Sequence, residues 1–126
     1  MSYIYYNPNP NGKHVSDCTI RAICRLEHVT WLEAFDSVVD LCRQYYDMPS
    51  SDRMWGMLMS RLGYTKHMLP NTCPDCYTVK DFCMEYPIGA YLLKTSGHVI
   101  AVVNGDYYDT FDSGDKTPIY YWRKER

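Results

Sequence analysis

Residues 89–111 read GAYLLKTSGHVIAVVNGDYYDTF, and this stretch decides the fold. Ala90 to Lys94 and His98 to Val103 are short runs rich in β-branched and aromatic residues, separated by Ser96-Gly97. Asn104-Gly105 then supplies the dipeptide that a two-residue type I′ hairpin prefers, because both of its central positions need positive φ. Tyr107 to Phe111 follows as a third strand, and Ile119 to Trp122 as a last one. Upstream of Gly89 the apolar spacing is 3.6 rather than 2, so helices come first and an antiparallel sheet second. That order is the signature of the α+β class, with N-terminal helices packed on a C-terminal antiparallel sheet.

The helical part can be placed from its start and stop residues. Ser16 or Asp17 begins a first helix over about residues 17 to 27, carrying Ile20, Ile23, Cys24 and Leu26 on one face. Thr30 with Glu33 forms a capping box before a second helix, about 31 to 46, whose predicted apolar face holds Leu32, Phe35, Val38, Val39 and Cys42. Ser51 or Asp52 opens a third with Met54, Trp55, Leu58 and Leu62, stopped by Gly63. Thr78 with Asp81 opens a short fourth that ends near Pro87. Residues 3–13, rich in Tyr, Asn and Pro, suit turns or a strand edge, and the segment between Tyr64 and Tyr77 reads as a loop or short strand.

Composition sets the outer bounds. At 126 residues the chain can bury roughly two thirds of its unfolded surface, which predicts a single domain over 1–126. It is 46% hydrophobic and 22% charged, too apolar for a disordered segment. Lys and Arg number 13 against 15 Asp and Glu, so no global basic field draws the chain to phosphate backbones and nucleic acid is not an expected partner. Apolar runs such as Ile100 to Val103 fall far below the roughly 18 residues of a membrane span, so no membrane partner is expected either. Residues 1–8 lack the basic start and apolar core of a secretion signal, which makes the cytoplasm the expected compartment and free thiols the expected state of the six cysteines.

Cys18 falls in the first turn of the first helix, where unpaired N–H groups and the macrodipole favour a thiolate. His98 opens a strand directly after a Gly-containing turn, the placement a general base needs. Asp109 and Asp112 are the carboxylates within reach of it. A two-residue Asn104-Gly105 loop puts His98 opposite Phe111 and on one side with Asp109; a three-residue loop with a Gly105 bulge puts it with Asp112. Asp112 is favoured because it ends the strand where a cleft would open. Arg21, one turn after Cys18, reads as one partner of a structural ion pair.

These pieces stand in a telling order: Asp17-Cys18-Thr19-Ile20-Arg21-Ala22, then Gly97-His98-Val99-Ile100-Ala101-Val102, then Tyr108-Asp109-Thr110-Phe111-Asp112-Ser113. The order resembles the papain-like cysteine peptidases, and most closely the small bacterial and phage members related to the bacteriocin-leader-processing peptidases. The resemblance implies a papain-like fold and acyl transfer from a peptide or protein substrate without a cofactor or metal. It makes Cys18 the nucleophile, His98 the general acid/base and Asp112 the orienter. Such peptidases place a side-chain amide, usually Gln, a few residues before the Cys as an oxyanion donor. No Gln precedes Cys18, and Asn11 stands in for it, with Lys13 and His14 closer in sequence.

Two rival readings come from the same residues. The missing upstream Gln and the small size favour a non-catalytic module that keeps the papain-like scaffold, a phage or bacterial accessory protein that binds a host factor. Cys73 and Cys76 with His67 and Cys83 could instead form a zinc site or a redox pair. The uneven spacing of that set makes plain reduced cysteines the expectation. Tyr107, Tyr108, Tyr120 and Tyr121 are expected to cover the sheet rather than stack on bases.

Overall fold

A computed structural model describes residues 2–125. Among the described residues the elements run β1 (Ser2–Tyr5), α1 (Cys18–Glu27), α2 (Trp31–Tyr45), α3 (Asp52–Arg61), β2 (Tyr64–Met68), α4 (Val79–Glu85), β3 (Ala90–Thr95), β4 (His98–Val103), β5 (Asp106–Asp109) and β6 (Pro118–Lys124). The six strands form one sheet in the order β1-β5-β4-β3-β6-β2. The fold is α+β.

The sheet draws on more of the chain than its C-terminal part. β1 comes from the N-terminus and pairs with β5 in parallel, while β2 comes from the middle and closes the opposite edge against β6. Neither pairing is visible in local periodicity, because the partner lies far away in sequence. The centre of the sheet is the antiparallel β3–β4–β5 meander that residues 89–111 predict.

Alternation along these strands divides the interior in two. Leu92, Val99 and Ala101 face α1, α2 and α3, packing with Ile23, Val38, Met54 and Trp55. Tyr91, Leu93, Ile100, Val102, Tyr107 and Tyr121 face the other way, where Val79, Phe82 and Cys83 of α4 cover them. So three helices lie on one side and α4 on the other.

Both predicted capping boxes form. Thr30 Oγ1 accepts the Glu33 N–H (3.1 Å) while Glu33 Oε1 accepts the Thr30 N–H (2.9 Å), and Thr78 and Asp81 do the same at 3.2 and 2.9 Å. The buried face of α2 differs from the predicted one: it is Ala34, Val38, Leu41 and Cys42, while Leu32 is exposed and Phe35 turns partly toward a cleft. Leu32 sits in the first turn and is 59% exposed, so apolar character alone does not place a residue on the buried face.

Candidate active site

α1 starts at Cys18, and what its cap residue does shapes the site. Asp17 makes no side-chain capping bond. Its carboxylate is committed elsewhere: one oxygen receives the Arg21 guanidinium and the other the Trp31 indole N–H at 2.8 Å. The first-turn N–H groups of α1 thus lack the cap a Ser or Asp usually provides, and the positive end of the helix is left beside the Cys18 sulfur. Cys18 is half-buried, and the backbone N–H of Val99 on β4 helps to lower its pKa.

His98 and Asp109 are brought together by the hairpin. Val103 pairs with Asp106 and Val102 with Tyr107 across a two-residue Asn104-Gly105 turn, both at positive φ (49° and 80°). In that register the first residue of β4 and the last of β5 share a face at one end of the sheet. His98 Nε2 lies 2.6 Å from Asp109 Oδ2, which leaves its other ring nitrogen outside that contact, and His98 is near enough to Cys18 for each to shift the other's titration. Gly97, at φ 70°, makes the turn from β3, and Thr95 Oγ1 donates to the His98 carbonyl at 3.2 Å to pin it. The Phe111 ring lies over the imidazole with centroids 5.1 Å apart.

Asp109 is 1% exposed and fully engaged. Oδ2 also accepts the Ser113 hydroxyl at 2.7 Å, and Oδ1 accepts the Thr110 N–H at 2.8 Å and Arg21 at 3.1 Å. Arg21 therefore ties Asp17, which precedes α1, to the carboxylate that holds the imidazole. A buried charge set persists only when each member is paired and hydrogen-bonded, as here.

The electrostatics follow from this wiring. Burial pushes the Cys18 thiol up, yet the hydrogen bond and charge of His98, the Val99 N–H and Arg21 outweigh it and bring its pKa below the ordinary thiol value. Burial likewise opposes a charged His98, but bonds to Asp109 and Cys18 and the charge of both raise it to about 9. Burial of Asp109 is more than offset by hydrogen bonds from His98 and Ser113 and by the imidazolium charge, which hold its carboxyl below the usual range. All three shifts favour a thiolate–imidazolium–carboxylate row. Cys24, buried and without such partners, is pushed up to about 11.

The carboxylate at His98 is thus Asp109 and not Asp112. Asp112 lies beyond the end of β5 and accepts the Tyr107 hydroxyl (2.6 Å) and the Gly114 N–H (3.0 Å). The physical reason is register: the two-residue turn selects the Asp109 side. Asn11 is not brought to the site either. It lies exposed in a turn whose bonds run to Asn9, outside the cleft lining. Cys73 and Cys76 are joined by a disulfide rather than reduced, and among the described residues no group of three or more His, Cys, Asp or Glu is placed to hold a metal ion. Asp17 and Ser113 are additions that sequence reading missed; the i,i+4 spacing of Asp17 and Arg21 was the available signal.

Cys18 and His98 border a cleft of about 580 Å³, within the usual range for small-ligand and side-chain pockets. Trp31, Phe35, Met48, Pro49 and Trp55 give it apolar walls, and Lys94 and Asp52 line it as an ion pair 3.2 Å apart. Among the described residues no helix is long and apolar enough to cross a membrane. The chain matches no family model, no curated protein and no solved structure.

Proposed function

We propose that the chain is a cysteine-dependent hydrolase of papain-like type, acting by acyl transfer on a peptide, isopeptide or related amide, with Cys18 as nucleophile, His98 as general acid/base and Asp109 as orienter. The observation that carries this reading is the row Cys18–His98–Asp109 at the mouth of an apolar cleft, with a 2.6 Å contact at its buried end. Thiolate attack on a bound carbonyl puts negative charge on its oxygen, where the uncapped N–H groups at the start of α1 are the donors at hand. The His98 proton passes to the leaving amine as the acyl-thiol forms. A water then enters, gives its proton to the imidazole and releases the acid while the thiolate leaves. Throughout, Asp109 keeps one tautomer and offsets the imidazolium charge.

The test is the pH dependence of iodoacetamide labelling at Cys18, read residue by residue. Because its pKa is lowered and only the thiolate reacts, labelling should rise through a pH below the ordinary thiol value, while Cys24, pushed up to about 11, labels only far above it. Turnover should fall again as His98 loses its proton near pH 9, since acid catalysis then ends. If Cys18 titrates like a free thiol near 8.5, the hydrolytic reading fails and a non-catalytic module takes its place.

A further inference from the structure

We propose that the Cys73–Cys76 disulfide is a thiol–disulfide exchange site that a small dithiol opens and closes while the fold stays intact, independently of the Cys18 cleft. The two cysteines are only three positions apart, so they close a very small ring, and the stabilisation from restraining an unfolded chain grows with ring size. A structural staple is poorly served by that spacing. Cys73 is exposed and Cys76 half-buried, so a reductant can approach the first sulfur from solvent.

The loop that carries them is held by other bonds. Asn71 Oδ1 accepts the Cys73 N–H at 3.1 Å, Thr72 Oγ1 donates to the Asp75 carbonyl at 2.8 Å, and the Tyr77 N–H donates back to Thr72 Oγ1 at 2.9 Å. None of these runs through sulfur, so the two thiols stay neighbours after reduction and re-close readily. The loop also stands apart from the cleft. Leu69 and Tyr77, which flank it, pack on the α4 face, whereas Cys18 packs against the α1–α3 cluster. The remaining cysteines are poor exchange partners: Cys24, Cys42 and Cys83 are buried, and burial pushes each thiol up, Cys24 and Cys83 to about 11.

The step balances with the dithiol alone. One of its thiolates attacks Cys73 Sγ; a reductant–Cys73 bond forms as the Cys73–Cys76 bond breaks, and Cys76 leaves with the electron pair and takes a proton. The second thiol of the reductant, losing its proton, displaces Cys73, giving two protein thiols and a cyclic disulfide.

Cys18→Ala protein, in which the cleft thiol is silent, should be equilibrated in mixtures of reduced and oxidised dithiothreitol, trapped with a maleimide and mapped by mass spectrometry. Thiols at 73 and 76 should appear together as the buffer becomes reducing, with the thermal unfolding midpoint held within a few degrees. A pair that stays closed in excess reduced dithiothreitol until denaturant is added overturns the proposal, as does a pair that stays open in excess oxidised dithiothreitol. In single variants, glutathione disulfide should modify Cys73 (in Cys76→Ser) about tenfold faster than Cys76 (in Cys73→Ser), as its greater access requires. Equal or reversed rates overturn Cys73 as the attacked sulfur.

Discussion

The end of the sheet at Cys18 and the α4 face of the same sheet bury opposite kinds of matter. On the α4 face Phe82 meets Tyr86, Tyr91 and Tyr121 with ring centroids 4.5 to 5.2 Å apart, and the buried cluster around them is built of aliphatic, aromatic and cysteine side chains. At the sheet end Asp17, Arg21 and Asp109 are all buried, bonded to one another and to His98, Trp31 and Ser113. Apolar burial stabilises at about 25 cal/mol per Å², with modest further gains from ring geometry. Burying ions costs several kcal/mol each before pairing offsets it, and well-packed hydrophobic residues often serve stability as well or better. One face therefore explains why the chain folds. The other has no such account, and the proposed hydrolysis would supply one.

The contrast breaks most visibly by removing the reacting groups. Cys18→Ala and His98→Ala should each lower turnover of an activated ester or amide by roughly 10⁴-fold or more, and Cys18→Ala should do so while the unfolding midpoint scarcely moves. Phe82→Ala should do the reverse. It empties a fully buried aromatic site and should cost about 3–5 kcal/mol in chemical denaturation, with Cys18 labelling in the remaining folded protein unchanged. If Phe82→Ala shifts the Cys18 labelling profile, the two regions are coupled and do not divide stability from reactivity.

The same contrast explains what was legible in the sequence. Helices whose apolar stripe and caps are local, α1, α2 and α4, were placed from Ile20, Ile23, Thr30, Glu33, Thr78 and Asp81 to within a residue or two. The β3–β4–β5 meander is legible because Asn104-Gly105 marks where its hairpin turns, though not in which register. The parallel β1–β5 pair was not, since nothing in Ser2 to Tyr5 names a partner about a hundred residues away. At the site, Cys18 and His98 stood out by their positions at element starts. The carboxylate did not, because one residue of register exchanges Asp109 for Asp112 and every side chain with it. Asp17 looked like an ordinary cap, and only the tertiary contacts of Arg21 and Trp31 show why it caps nothing.

That one-residue choice carries the finest test. Asp109→Asn keeps the shape but removes the charge opposite the imidazolium, so turnover should fall by about 10²–10³ and Cys18 labelling should shift toward ordinary thiol pH. Asp112→Asn should do far less. Its retained Oδ1 can still accept from the Tyr107 hydroxyl and the Gly114 N–H, and the lost charge is on an exposed residue rather than beside the His98 ring. Stability should change by under about 0.5 kcal/mol and turnover by less than about twofold. The comparison is internal, two neighbouring carboxylates and the same substitution, so expression and general acidity cancel. An Asp112→Asn loss as large as that of Asp109→Asn would mean that the hairpin in solution carries the other register, with the bulge at Gly105 and His98 turned to the second carboxylate.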